Sequence, residues 1–264
     1  MNTSRFEEHG AVEQICIVIL ELAQMLLENG AETRRVFETT REVSRLFHVD
    51  EFNVLVTHRS VIVTVEIGDK MITRNQRVGT LGVNLSKVSQ ISNYVTQSKN
   101  DSDFSPSKLK EKLEEIKSSP SPYLFGLIVL MVGLACGGFC RIAGGDWIAF
   151  LSCSTAASLG FYVRHRFVQA YYEPMLCVLV GAFVSAVVSS LMARYLGSAT
   201  FSNSVAASVL YLVPGIPMIN AIADLLKGHI LTGIARSTTV ILTAVFVALG
   251  LIIAMNLTGL SYYK

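Results

Sequence analysis

Near residue 214 an apolar stretch carries two prolines and a glycine within four positions: Leu212-Val213-Pro214-Gly215-Ile216-Pro217-Met218-Ile219-Asn220. Each proline removes an amide donor and pushes the residue before it away from α geometry, so no continuous helix is expected there. Broken backbone at membrane depth survives only where protein covers it or where it lines a watery cavity. A half-helix starting at such a break turns free amides and partial positive charge toward an anion. Asn220, Asp224 and Lys227 follow at spacings of four and three, which puts them on one helical face. Asp224 is the only acid inside the long apolar stretches described below, so it is a candidate proton carrier or a partner for Lys227, His229 or Arg236. The plainer alternatives are a kink that only packs helices and a solvent-screened Asp224–Lys227 pair. The candidate substrate and ion pathway is thus Pro214, Gly215, Pro217, Asn220, Asp224, Lys227 and Arg236.

Other chemistry is sparse. The chain has no G-x-S-x-G elbow, no H-E-x-x-H, no phosphate loop and no C-x-x-C, so neither an enzyme nor ATP-driven transport by this chain is expected. Thr57-His58-Arg59-Ser60 reads as a loop between strands. Cys136 and Cys140 share a helical face without His or acid neighbours, a poor metal site. Four of the five cysteines lie in apolar runs and fit no disulfide framework. No cofactor and no metal are expected.

The elements that must position these residues follow from an uneven charge distribution. Residues 1–122 hold 32 of the 42 Lys, Arg, Asp and Glu side chains. A charge at mid-bilayer costs about 2.5–3.5 kcal/mol, and only the second half of the chain sheds charge enough for that environment. The expected fold is an α-helical multi-pass membrane protein of five transmembrane helices with an N-terminal α+β cytosolic domain. The domains are 1–105 (cytosolic), 106–122 (juxtamembrane helix and linker) and 123–264 (transmembrane). No basic stripe with interleaved aromatics points to nucleic acid, and the first residues lack a signal-peptide pattern.

In the first domain, apolar spacing predicts a helix from Val12 to Leu27 stopped by Asn29-Gly30, and a second from Ala31 to Phe47. Strand-like runs follow at 52–56, 61–67 and 71–73, the last two joined as a hairpin through Gly68-Asp69. A helix is expected over 84–97, a polar linker over 98–105, and an amphipathic helix over 106–117. With Leu109, Leu113 and Ile116 on one side, that last helix fits either a membrane surface or an ordinary protein surface.

The five spans are Tyr123–Cys140, Trp147–Val163, Met175–Ala193, Ser204–Leu226 and Ser237–Leu257, each near the roughly 20 residues that cross a bilayer. Aromatics, Tyr262 and Tyr263 among them, sit at their ends as in an interfacial belt. Arg164-His165-Arg166, with Lys227 and Arg236, place two connections on the cytoplasmic side. The N-terminal domain is then inside and the tail 261–264 outside, as are Arg141 and Arg194. Gly133 and Gly137, with the serines at 152, 154, 158, 185, 189 and 190, predict close helix packing, with a hydroxyl-lined path as the second reading.

The run from Leu212 to His229, with Thr232-Gly233-Ile234-Ala235-Arg236, resembles the signature of the threonine/serine exporter family. Asn29-Gly30-Ala31-Glu32 and Gly133-Leu134-Ala135-Cys136 are supporting matches, and the resemblance runs from about Val12 to Leu257. Family members are fused or split; with five spans this chain is similar to the larger subunit of the split type. That resemblance implies a secondary exporter in the bacterial inner membrane, moving succinate and related dicarboxylates together with a smaller multi-pass membrane subunit. Threonine or serine export is the alternative, followed by a membrane-anchored hydrolase or a regulatory subunit. The mechanism expected is that amides at the Pro214–Pro217 break meet a substrate carboxylate, Lys227 and Arg236 draw anions in, and Asp224 exchanges a proton.

Overall fold

The computed structural model describes residues 3–57, 59–79, 81–101, 103–120 and 123–259. His58, Tyr262, Tyr263 and the tail lie outside the described residues. The chain divides into two compact units: residues 1–120 with 216–237, and residues 121–215 with 238–264. The segment 216–237, placed by the sequence in the membrane domain, therefore groups with the N-terminal residues. We call the two the mixed unit and the helical unit.

The mixed unit is built on α1 (Thr3–Glu28), against which pack α2 (Thr33–Leu46), α3 (Leu85–Gln97), α4 (Pro106–Ser118) and strands β2 (Ser60–Ile67) and β3 (Lys70–Arg77). With β1 (Glu51–Val56) these strands form an antiparallel meander of order β1-β2-β3. Val61, Val63 and Val65 alternate onto the face toward α1 and are fully buried, each worth about 1.5 kcal/mol or more against exposure. The Gly68 turn has φ +59, and the hairpin register pairs Val65 with Ile72 and Val63 with Arg74. β3 runs four residues beyond its expected end.

Helix α1 stops where the sequence says it should. Gly30 has φ +86; its amide donates to Leu27 O, and that of Ala31 to Leu26 O, the paired bonds of a glycine-terminated helix. Asn84 caps α3 by accepting from the Lys87 amide, and Ser105 caps α4 by accepting from Lys108 N–H, with Pro106 opening that helix. The α4 residues Leu109, Leu113 and Ile116 lie in the core with α1. Their apolar stripe is used inside the unit, which favours the ordinary surface helix over the membrane-surface alternative.

The helical unit holds α5 (Phe125–Ile142), α6 (Trp147–Gln169), α7 (Pro174–Tyr195), α8 (Phe201–Ser208), a 3-10 turn at Leu210–Leu212, and the greater part of α10 (Ile230–Thr258). Between α8 and α10 the chain passes through α9 (Gly215–Leu226), in the mixed unit. Small residues set the helix spacing. A Cβ on Gly133 would sit 2.5 Å from Ser154 O on α6, and one on Gly250 would sit 2.7 Å from Leu179 O on α7; only glycine permits such backbone approach. Asp146 caps α6 by accepting from Ala149 N–H at 2.6 Å, and also accepts from the Ser198 hydroxyl and the Ala199 amide. It thereby ties the α5–α6 loop to the α7–α8 loop.

Among the described residues, four helices are long and apolar enough to cross a membrane: the Gly10–Glu28 part of α1, α5, α7 and α10. Phe201–Leu212 with Gly215–Leu226 makes a fifth if that broken pair is one crossing. Helix α1 has the most buried apolar window of the four, 56% against 44% for α7, 22% for α5 and 11% for α10, and its buried side chains lie in the core of the mixed unit. Helix α6 is less apolar and continues through Arg164-His165-Arg166 to Gln169. The span expected over Trp147–Val163 thus lies within a longer helix, since nothing in the run lacks helix propensity and charge alone does not stop a helix.

Candidate functional site

The proline pair interrupts the helix. Val213 is extended, with φ −65 and ψ 120, as a residue before proline prefers, and Gly215 N–H donates back to Val213 O across Pro214. One helical run ends at Leu212 and α9 begins at Gly215. Pro214, Gly215 and Pro217 thus form the break, with no heavy atom within 4 Å of where a Gly215 Cβ would lie.

Helix α9 ends in a second glycine stop, with Gly228 at φ +83 and His229 N–H donating to Asp224 O at 2.9 Å. The tight turn folds α10 back, and Arg236 Nη1 lies 2.9 Å from Asp224 Oδ2. Asp224 is fully buried. The same Oδ2 accepts from Thr33 Oγ1 at 2.9 Å, while Oδ1 is buried without a partner. That oxygen can accept a proton or a donor without breaking an existing bond.

Around this pair the segment 216–237 grips the turn that follows α1 and the end of β1. Asn220 Nδ2 donates to Gly30 O at 3.0 Å, Arg236 Nη2 to Ala31 O at 3.4 Å, and Thr232 Oγ1 to Val56 O at 3.2 Å. Lys227 pairs with Glu32, and His229 stacks on Phe37 with centroids 5.2 Å apart. The structure therefore brings Asn220, Asp224, Lys227 and Arg236 together. It changes their partners: Asp224 meets Arg236 because α10 folds back onto α9, and Lys227 meets Glu32, so the Asp224–Lys227 pair is not formed. Both cations expected to draw anions inward are already engaged by carboxylates.

A cavity of about 370 Å³ opens beside the cluster, lined among others by Glu32, Arg34, Arg35, Asn220 and Lys227. Arg34 pairs with Glu38, whereas Arg35 makes no ion pair with the described residues. Among the described residues no group of His, Cys, Asp or Glu is arranged to hold a metal. Sequence reasoning missed Thr33 and the backbone carbonyls of Gly30 and Ala31. The only signal for them was the Asn29-Gly30-Ala31-Glu32 match, which carried no hint of what it would touch.

Comparisons with known proteins fit this picture. The family model ThrE, described as "Putative threonine/serine exporter", matches residues 17–258. The chain is 31% identical over 254 residues to a Klebsiella aerogenes protein named "Probable succinate transporter subunit YjjP", covering 96% of each chain. An Escherichia coli K12 protein of the same name is 30% identical, with 96% of this chain and 97% of that one covered. A Corynebacterium glutamicum "Threonine/serine exporter" is 20% identical over 87% of this chain but only 48% of its own. No solved structure matches.

Proposed function

Because the chain belongs to the threonine/serine exporter family, we propose that it is the larger subunit of an inner-membrane secondary exporter. It moves succinate and related dicarboxylates together with a smaller multi-pass membrane partner, and its mixed unit faces the cytoplasm. The observation that carries this reading is the broken helix whose second half holds Asp224 and Lys227 on the Gly30–Thr33 turn, beside a cavity. The names of its full-length relatives support succinate, and the word subunit in those names supports a partner.

In this mechanism the paired cations act as a latch. A dicarboxylate entering the cavity competes with Glu32 for Lys227, since both are carboxylates seeking the same ammonium. Arg35, which pairs with no acid among the described residues, provides the first attraction. Releasing Glu32 loosens the turn that holds α9, and protonation of Asp224 at its free Oδ1 loosens the grip on Arg236. The break at Pro214 lets α9 move without bending a continuous helix. Threonine or serine export is the second reading, favoured by the Glu32–Lys227 pair, whose two charges match an amino acid's ammonium and carboxylate.

Efflux of labelled succinate and threonine from cells lacking both subunits tests this. The chain with its partner restores succinate efflux, and the chain alone does not. Asp224→Asn abolishes efflux while the protein still accumulates in the membrane. Wild-type efflux from that variant removes Asp224 from the mechanism, and threonine efflux without succinate efflux selects the second reading.

A further inference from the structure

The four consecutive residues that lead into α2 each hold one group of the segment 216–237. Gly30 O accepts from Asn220, Ala31 O accepts from Arg236, Glu32 pairs with Lys227, and the Thr33 hydroxyl donates to Asp224 Oδ2 at 2.9 Å. Side chains at a helix start ordinarily accept from the first-turn amides of their own helix. Glu32 stands at the N-cap of α2 and makes no such bond. Thr33, fully buried, donates its one hydroxyl proton to a residue 191 positions away. Helix α2 thus forgoes its own cap in order to hold α9.

The two side-chain ties are matched. Asp224 and Lys227 lie one turn apart on α9 and meet the adjacent residues Thr33 and Glu32. The cavity of about 370 Å³ opens on Glu32 and Lys227, whereas Asp224 and Thr33 are fully buried. A carboxylate that takes Lys227 must come between Glu32 and α9. An O–H···O bond spans only about 2.5–3.0 Å, so a separation wide enough for that carboxylate parts Thr33 from Asp224. Asp224 then keeps Arg236 at Oδ2 and has no donor at Oδ1. A carboxylate that loses a donor and gains an anion nearby takes up a proton more readily.

We propose that Glu32 and Thr33 are the element that couples solute to proton: a carboxylate captured at Lys227 withdraws the Thr33 hydroxyl, and Asp224 takes up a proton at Oδ1. The proposal rests on the exporter reading and deepens it by fixing the sign of the coupling. Solute and proton bind together, and each tightens the other by the same factor. Thr33 is a positioning residue, since it touches Asp224 and not the solute. The charged groups about Asp224 are Arg236 from α10, the Glu32–Lys227 pair, and on α2 the Arg34–Glu38 pair and Arg35. His229, stacked on Phe37, follows α9; an imidazole changes charge in the neutral range by its nature, so it is replaced in a control.

The test uses the full chain purified with its partner in nanodiscs, and measures succinate and threonine affinity by calorimetry across the neutral pH range. In the wild type succinate affinity rises about 10- to 100-fold toward the acid end, the worth of one hydrogen bond to a charged group. Thr33→Val, of nearly the same shape, holds that rise to within about threefold, and Thr33→Ser restores it. Comparing variants at each pH cancels the titration of the solute itself. His229→Gln keeps the rise, and Glu32→Gln binds succinate several-fold more tightly, because a neutral amide competes less for the Lys227 ammonium. Should Thr33→Val fail to accumulate, proton uptake by the wild type in weak buffer decides: uptake on succinate binding supports the coupling, and none overturns it. Equal pH dependence in wild type and Thr33→Val overturns it, as does a rise that His229→Gln abolishes. Unchanged or weaker binding in Glu32→Gln overturns capture at Lys227, and a wild type that binds neither solute overturns the whole proposal. A complex that binds succinate with this pH dependence but exports none sinks the exporter reading and leaves the coupling standing.

Discussion

Removing one member of the Asp224–Arg236 pair should release the segment 216–237 from the mixed unit. At 2.9 Å and an effective dielectric near 20, the attraction is about 6 kcal/mol. Burial of each ion takes back several kcal/mol, so the intact pair contributes little net. A lone survivor keeps its burial cost and loses its partner, a loss of about 3–5 kcal/mol. Asp224→Ala and Arg236→Ala should each incur that loss, and the double variant should lose at least about 2 kcal/mol less than their sum. Thr232→Cys provides the reporter: the position is 5% exposed, the change is nearly isosteric, and all five native cysteines are buried. Its labelling by a thiol reagent, followed by peptide mass spectrometry, measures how often the segment lifts. Each single variant should speed labelling by about two to three and a half powers of ten, and the double variant by clearly less than the product. Single variants that change the rate less than about threefold, or effects that multiply within about 0.5 kcal/mol, refute the claim that this pair holds the segment.

Three further outcomes follow. Gly30→Ala forces a side chain into φ +86 and within 2.9 Å of Gly82 O; it should cost about 2 kcal/mol and raise Thr232→Cys labelling in the same assay. A Cβ at Gly215 has open space around it, so Gly215→Leu should accumulate normally while efflux falls at least about tenfold; failure to accumulate makes the break a purely structural element. The Ala149 amide, and then the Ser198 hydroxyl, hold the Asp146 carboxyl below its usual range. The stability from this shift is present above the ordinary carboxyl pKa of about 3.9 and is lost as pH falls through the lower folded value. Trp147 fluorescence should therefore show an acid transition that Asp146→Asn flattens, with that variant already weaker at neutral pH.

Helix-breaking chemistry, periodicity and charge sparsity are local properties, and they were readable directly. Proline at 214 stops the helical run before it, Pro217 fits only the first turn of the helix that follows, and glycine at 30 and 228 ends a helix by a conformation few other residues adopt cheaply. Alternating valines in β2 and the leucine stripe of α4 likewise declared which faces turn inward. The spacing of Asn220, Asp224 and Lys227 correctly placed them on one face. Partner choice could not be read this way. Asp224 finds Arg236 only because the three-residue connection 227–229 folds α10 back on α9, and Lys227 finds Glu32, 195 positions away, only because the segment packs on the end of α1. Arg164 shows the same limit from the other side: a cationic triplet in the sequence reads as a surface cluster, yet the Arg164 Nε in α6 is buried without a hydrogen-bond partner. Local sequence sets backbone conformation through short-range sterics, whereas the pairing of charges depends on which distant elements the whole fold brings within a few ångströms.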